Sequence, residues 1–350
     1  MQYVLPKFTS MEVNAAGKAL IAPQSSGPMK WQELDEAVHT YVVVNNWRAC
    51  HARPLATFAM TLKNRALKIH KESLVAQRIK RLDSIVKKLE IQASMKLSQM
   101  QDIAGCRAIM PTITQVRRLE QRYRGESDFS HEFKGCKDYI LQPKASGYRG
   151  IHLIYRFKLR ESSPYEGLQV EIQLRSKFQH VWATAVEAAG TFTNQALKSS
   201  QGSAEWQRFF ALMSSYIAQL EKSPLVPNTP TDADELREEL RALVVKLHVI
   251  GTLQTYNATL NKVERRSKVK YYLMDLDPEG RTVKVTTFSA TENEEANEAY
   301  TATEKGLPKD TNRQVVLVSV DSIQALRQAY PNYFLDTTRF VEIVENAIAG

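Results

Sequence analysis

Apolar residues recur at every second position in Leu168-Gln-Val-Glu171-Ile-Gln173-Leu-Arg175. That period predicts a strand with Val170, Ile172 and Leu174 on one face and Glu171, Gln173 and Arg175 together on the other. The apolar run Ile103–Met110 predicts a buried strand, and further strands are expected at residues 137–141 and 151–159. Helical spacing marks Thr114–Tyr123 and residues 177–189 and 204–222. Upstream, Trp31 to about Lys71 reads as helical with a break at Pro54. Its Asn45-Asn-Trp47-Arg48-Ala-Cys-His51-Ala-Arg53 stretch either presents Arg48, His51 and Arg53 to a ligand or packs Trp47 and His51, four apart, on one face. Ser73–Gln92 is expected to be one amphipathic helix. Leu74, Ile79, Leu82, Ile85, Val86 and Leu89 line its apolar side, and Arg78, Lys80, Arg81, Lys87 and Lys88 form the basic remainder. Residues 1–30, with Pro6, Gly17, Pro23, Gly27 and Pro28, read as an irregular arm.

Three prolines in Lys222–Pro230 mark a linker. A long helix is then expected from Thr231 to about residue 262, acidic at its start and basic at its end as the helix dipole prefers. Beyond it lie two strands, Val269–Leu276 and Thr282–Phe288, joined by the turn sequence Asp277-Pro-Glu-Gly280. A helix at Ser289–Ala302, a strand at Gln314–Val320 and helices at Ser322–Ala329 and Thr337–Ala349 complete the pattern. The fold class is α+β: a mixed sheet with flanking helices over residues 31–222, a linker and helix over 223–262, and a small α+β domain over 263–350.

Charge sharpens this division. The formal net charge is +9, but residues 1–160 hold 27 Lys and Arg against 13 Asp and Glu, while the other 190 are net acidic, 20 against 25. A basic half suggests a polyanionic partner, nucleotide phosphates or RNA, where the bland alternative is solvated helix faces. The three cysteines, Cys50, Cys106 and Cys136, form no Cys-x-x-Cys pair, so neither a zinc ribbon nor a disulfide framework is indicated. No signal pattern or membrane-length apolar run is visible, and a cytoplasmic location is expected.

Candidate chemistry concentrates in the loop Pro143-Lys144-Ala-Ser-Gly147-Tyr148-Arg149-Gly150-Ile-His152. A loop of this kind can stack a base on Tyr148 and neutralise phosphates with Lys144 and Arg149. If the strand that Asp102 begins and the strand that holds Glu171 are neighbours, both carboxylates can share a Mg²⁺ on nucleotide phosphates. Glu171 is assigned metal contact first and general base second, with Gln173 orienting the acceptor or a water. Arg175 either pairs with a phosphate or holds Glu171. Arg117 and Arg118 are candidates for adenine stacking, because guanidinium planes stack on bases. Arg107, five residues past Asp102, would point away from it on a strand and is given no catalytic role.

These pieces together resemble the RelA/SpoT synthetase domain. The resemblance rests on Arg78-Ile-Lys80 with Ser84, Gln101-Asp102-Ile-Ala-Gly-Cys-Arg107, Pro143–Arg149, His152, Glu171–Arg175 and Phe178–Ala183, all in the family's order. It implies a nucleotidyltransferase-like fold and transfer of pyrophosphate from ATP to a ribose 3′-hydroxyl. It also implies ATP contacts for Arg78, Lys80 and Ser84, and acceptor contacts for Lys144, Tyr148, Arg149 and His152. The chain contains no His-Asp dipeptide, so the hydrolase activity of the family's long members is not expected.

Two acceptors are open. The small toxic members modify the 3′-CCA end of tRNA and stop translation; other small members make (p)ppGpp or adenosine analogues from GDP, GTP or their counterparts. The basic half and the continuation Thr184-Ala-Val-Glu187 after Trp182 favour tRNA. The acidic C-terminal part resembles the antitoxin-like domain of CapRel-type phage-defence proteins, whose paired tyrosines match Tyr330-Pro-Asn-Tyr333. That resemblance implies autoinhibition relieved by a phage protein, a capsid protein being the expected trigger. A catalytically dead RNA-binding module is the remaining alternative.

Overall fold

The computed structural model describes residues 3–22, 31–92, 94–124, 129–159, 162–196, 203–254, 259–263, 269–277, 279–280, 282–307, 313–320, 322–330 and 337–349. The strands are β1 (Leu74–Ile79), β2 (Ala104–Met110), β3 (Glu132–Asp138), β4 (Ile151–Arg156), β5 (Gln169–Ser176), β6 (Thr259–Val263), β7 (Val269–Asp277), β8 (Thr282–Ser289) and β9 (Gln314–Ser319). They form one nine-stranded sheet in the order β3-β4-β5-β2-β1-β9-β7-β8-β6. The β2–β5 and β6–β8 pairs are parallel and the others antiparallel, so the sheet is mixed, as expected for this α+β chain.

The C-terminal strands therefore continue the first half's sheet. The join is short: Gln77 opposes Ser319 and Arg78 opposes Val318. Helices cover both faces. On one, α3 (Ala52–Ile69) and α5 (Ile113–Arg124) pack Phe58, Leu62, Val116 and Leu119 against Cys106, Leu153, Val170 and Ile172. Farther along that face α10 (Asn293–Lys305) sets Ala296 and Tyr300 on Leu273 and Leu317. The opposite face meets α6 (Lys177–Ala196), α7 (Ser203–Leu220), α8 (Ala233–Lys246), α11 (Ile323–Ala329) and α12 (Thr338–Ala349) over Ala76, Met274, Val316 and Val318. No helix among the described residues is long and apolar enough to cross a membrane.

Several local expectations change. Ser73–Gln92 is not one helix: Leu74–Ile79 is a strand and only α4 (Leu82–Ile91) is helical. Pairing with β2 and β9 on its two sides outweighs the helical spacing. The arm holds a helix, α1 (Ser10–Leu20), started by a capping box in which Thr9 N–H donates to Glu12 at 2.8 Å. The chain breaks between α2 (Trp31–Cys50) and α3 at His51, and Pro54 sits inside the first turn of α3, where its missing N–H costs nothing. The third strand starts at Glu132, earlier than residue 137. The expected 231–262 helix ends at Lys246, because His248 adopts a left-handed backbone with φ 49°; a short α9 (Val249–Gln254) and β6 follow.

Candidate active site

Glu171 projects from β5 on the sheet face opposite α3 and α5. Register decides its neighbours. Gly105, Arg107 and Ile109 on β2 oppose Glu171, Gln173 and Arg175, while His152 on β4 opposes Gln173. Arg107 also opposes Ala76 on β1, two residues from Arg78. Directly opposed residues share a face, so Arg78, Arg107, His152, Glu171, Gln173 and Arg175 all project from the same side.

The polar contacts form a chain. His152 Nδ1 lies 2.7 Å from Glu171 Oε1, and Gln173 Nε2 donates to Oε2 at 2.6 Å. A carboxylate only accepts, so in the neutral imidazole Nδ1 carries the hydrogen and Nε2 accepts from the Tyr148 hydroxyl, 2.5 Å away. Arg175 donates to that hydroxyl at 2.7 Å. Gln173 accepts from Arg107 Nε at 3.3 Å. Burial is the largest influence and would raise the Glu171 carboxyl, but the hydrogen bond and attraction of His152 and the hydrogen bond from Gln173 together hold the group below the ordinary range.

Asp102 lies in the turn before β2. Lys80 and Lys88 each reach one of its oxygens at 2.8 Å. Burial opposes ionisation here too, yet the two ammonium groups bring the carboxyl down to about 2. Asp102 is close enough to Glu171 to raise that residue's pKa. Asp102 and Glu171 are the two carboxylates the site offers to a hard cation; among the described residues no group of three or more metal-ligating side chains gathers, and Mg²⁺ would have to displace Lys80 and Lys88 or His152 and Gln173 from their oxygens.

The loop before β4 is fixed from beneath. Gly147 has φ +88°, and a Cβ there would meet Trp182 Cζ2 at 2.8 Å and the Phe210 carbonyl at 3.1 Å. Lys144 is exposed, its Nζ 4.5 Å from the Tyr139 ring centroid and 5.3 Å from that of Tyr148. Arg175 stands 5.0 Å from the Tyr148 ring. Arg149, expected to meet the acceptor, is buried instead: Nε donates to Ser214 at 2.9 Å and Nη2 to the Pro224 carbonyl at 2.6 Å, tying the loop to the end of α7.

Arg117 and Arg118 are not brought to Glu171. Their helix, α5, covers the other face, where Arg117 pairs with Glu120 at 2.9 Å and with Asp138, and Arg118 is exposed. The cation that joins Arg78 is Arg107, which the strand-parity reading set aside. Asp102 lies outside the strand, so counting positions from it gave the wrong face; counting from the Arg107–Gln173 pair gives the right one. Burial, Arg175 and Arg78 together push Arg107 down to about 10. Ser84 is half-buried in the first turn of α4. Tyr330 is buried in the described C-terminal half, whereas Tyr333 falls outside the described residues. At the end of α2, Trp47 and His51 pack edge to face at 4.9 Å, and burial lowers His51 to about 4.

Residues 77–196 match the family model described as "Region found in RelA / SpoT proteins". The chain is 31% identical over 112 residues to GTP pyrophosphokinase YjbM of Bacillus subtilis (strain 168), covering 31% of this chain and 52% of that protein. It is 32% identical over 112 residues to GTP pyrophosphokinase YwaC of the same organism, with the same coverage. The chain thus spans about half the length of the curated relatives it matches. Among solved structures, small alarmone synthetase 1 from Bacillus subtilis bound to its product pppGpp is similar over 49% of this chain and 90% of that one, at 23% identity and a TM-score of 0.41. The segment that matches the RelA/SpoT region holds Arg78, Lys80, Asp102, Arg107, Tyr148, His152 and Glu171.

Proposed function

We propose that this protein is an ATP-dependent pyrophosphokinase that transfers the β,γ-diphosphate of ATP to a ribose 3′-hydroxyl. One observation carries the reading. Glu171, held by His152 and Gln173, shares a sheet face with Arg78, Arg107 and Arg175 and lies beside an Asp102 pinned by Lys80 and Lys88. In the transfer, the 3′-oxygen bonds to the β-phosphorus, the bond from the β-phosphorus to the oxygen bridging it to the α-phosphorus breaks, and AMP leaves. Asp102 and Glu171 would hold Mg²⁺, which supplies charge neutralisation on the phosphates. Lys80 and Lys88, already gathered at one point, are placed to exchange Asp102 for phosphate oxygens. Arg78 and Arg107 offer two guanidinium planes to the adenine or its phosphates. Glu171 is second in line as the base for the 3′-hydroxyl proton, with the His152–Tyr148–Arg175 chain fixing its orientation. Most of the rate enhancement would come from positioning and charge.

The acceptor we favour is the tRNA 3′-CCA end, with arrest of translation as the consequence. The surplus of 27 cationic over 13 anionic side chains in residues 1–160 supports it, as does the exposed Lys144 on the loop. The names of the two curated relatives favour a second reading, GDP or GTP as acceptor and (p)ppGpp as product. Incubation with ATP labelled in the γ-phosphate separates them. Label on bulk tRNA, lost after removal of its 3′-terminal adenosine, supports the first; label on GDP or GTP alone supports the second. Label on neither rules out both.

The C-terminal half is proposed to hold the enzyme off until a phage protein, a capsid protein in our reading, engages it. Three contacts support a covered site: α11 lies against β1, the Gln328 carbonyl is 2.9 Å from His180 Nε2, and Tyr330 is close enough to Arg107 to influence its charge. Replacing Tyr330 with Ala should raise basal transfer, and unchanged transfer in the folded variant removes Tyr330 from this role.

A further inference from the structure

Arg48 closes α2 with a side chain only 3% exposed. Its partners come from two distant parts of the chain. Nη1 donates to Glu304 Oε2 at 2.8 Å, Nη2 to the Tyr300 hydroxyl at 2.6 Å, and Nε to the Lys80 carbonyl at 3.1 Å. Glu304 then accepts the Leu82 backbone N–H at 2.9 Å and the Tyr300 hydroxyl at 2.9 Å. Leu82 is the first residue of α4, and Arg81 before it gives no side-chain cap. A carboxylate 222 residues away therefore caps this helix. Next to it, Arg81 Nη1 donates to Gln314 at the start of β9 at 2.8 Å.

The segment so held carries the ATP-side cations. Lys80 has its carbonyl on Arg48, its N–H on the Ile103 carbonyl at 2.8 Å and its ammonium on Asp102. Lys88 projects from α4 to the other oxygen of Asp102. Burial lowers the Arg48 guanidinium, but Tyr300 and Glu304 raise it more, so the cluster keeps its charge.

We propose that Arg48, Tyr300 and Glu304 are positioning residues through which the C-terminal half sets Lys80, Asp102 and Lys88 for the phosphates of ATP. The inference rests on the ATP site proposed above and gives the C-terminal half a second task. While α11 lies over the site face, α10 on the other face builds part of the site beneath it. An activating trigger must then move the cover and leave the α10 contact in place.

The test uses the full chain with Tyr300→Phe, Glu304→Gln and Glu304→Ala, a non-hydrolysable ATP analogue with Mg²⁺, and amide hydrogen exchange. Losing a charge-assisted hydrogen bond should weaken analogue affinity about ten-fold in Glu304→Ala and about three-fold in Tyr300→Phe. Glu304→Gln keeps an acceptor for Leu82 and should fall between them. The Leu82 amide should exchange at least ~10-fold faster in Glu304→Ala, with Ile172 on β5 unchanged. In a Lys80→Ala background, Glu304→Ala should lower affinity by clearly less than in the original chain, because part of its effect passes through Lys80. Unchanged Leu82 exchange in a folded variant overturns the proposal. So does faster exchange with full affinity, or a full additional loss in the Lys80→Ala background. Tyr300→Phe keeps the test usable should Glu304→Ala not fold. If the unmodified chain does not hold the analogue, the ATP-site reading falls, and Leu82 exchange alone decides whether the clamp exists.

Discussion

Two halves of one sheet face are put to opposite uses. On β2 and β5 the residues facing α6 include Arg107, Glu171, Gln173 and Arg175, joined by hydrogen bonds directly or, for Arg175, through Tyr148 and His152. On β7 and β9 the equivalent positions are Tyr272, Met274, Val316 and Val318, packed beneath helices. The same right-angled projection of side chains gives a polar network in one half and a dry core in the other. Between them β1 is mixed: Ala76 packs with the core, while Arg78 opposes Gly105 on one side and Val318 on the other. The polar half depends on mutual satisfaction, because each buried charge needs the next. The apolar half depends on area and should tolerate exchange among residues of similar volume.

The comparison breaks hardest at Glu171. Glu171→Gln keeps the shape and loses the charge that would hold Mg²⁺ or take the proton. Pyrophosphate transfer should fall at least ~100-fold. Asp102→Asn should do the same, and thermal melting should show both variants folded. Normal transfer by both would end the assignment. No single substitution on the apolar half, such as Val316→Ile, should change transfer comparably at equal folded fraction.

A smaller effect is expected at Gly147. Its left-handed φ and the 2.8 Å approach of Trp182 leave no room for a methyl group, and the Phe210 carbonyl on the other side cannot rotate away. Gly147→Ala should cost about 2–4 kcal/mol in urea unfolding. It should also lower transfer, because the loop carries Tyr148. A variant as stable as the original would mean that the loop can move off α7.

What could be read from the sequence follows the same division. The alternation of Leu168–Arg175 depends on local period alone, and it gave both the strand and the face of Glu171. β1 could not be read that way. Leu74, Ile79, Leu82 and Ile85 fit helical spacing, no Gly or Pro marks the change at Lys80, and the partners that make the strand lie 25 to 35 residues away on β2 and 240 to 242 away on β9. Arg149 resembled its neighbours Lys144 and Tyr148 as a ligand group, yet α7 supplies acceptors that bury it. The Arg48–Glu304 pair spans 256 residues and leaves no local signal.

Tyr148 separates ring from hydroxyl. Stacking was the role expected for its ring, and the cations 5.0 and 5.3 Å from its centroid leave that role open to a base. The hydroxyl has its own task, joining Arg175 to His152. Tyr148→Phe should therefore lower kcat about ten-fold, the loss of one charge-assisted hydrogen bond, with acceptor KM little changed. Tyr148→Ala should also raise acceptor KM. Full activity in Tyr148→Phe would return the residue to a purely stacking role.

The smallest effect concerns Asp102 and acid. Its carboxyl falls from an ordinary 3.8 to about 2 in the folded protein, through Lys80 and Lys88. A depressed folded pKa means that the contribution is complete above the unfolded value and disappears as pH falls through the folded one. The shift corresponds to roughly 2 kcal/mol, present at pH 5 and above and lost between about pH 4 and pH 2. Asp102→Asn resembles the protonated acid at every pH. The gap in urea midpoint between the original chain and Asp102→Asn should thus be widest near neutrality and close over that acid range. Taking the difference removes the other carboxylates, such as Asp138 and Glu171, that are also held below their ordinary values. A gap that stays constant from pH 7 to pH 2 would mean that the two lysines do not hold Asp102 in solution, and that the polar half is assembled only when nucleotide arrives.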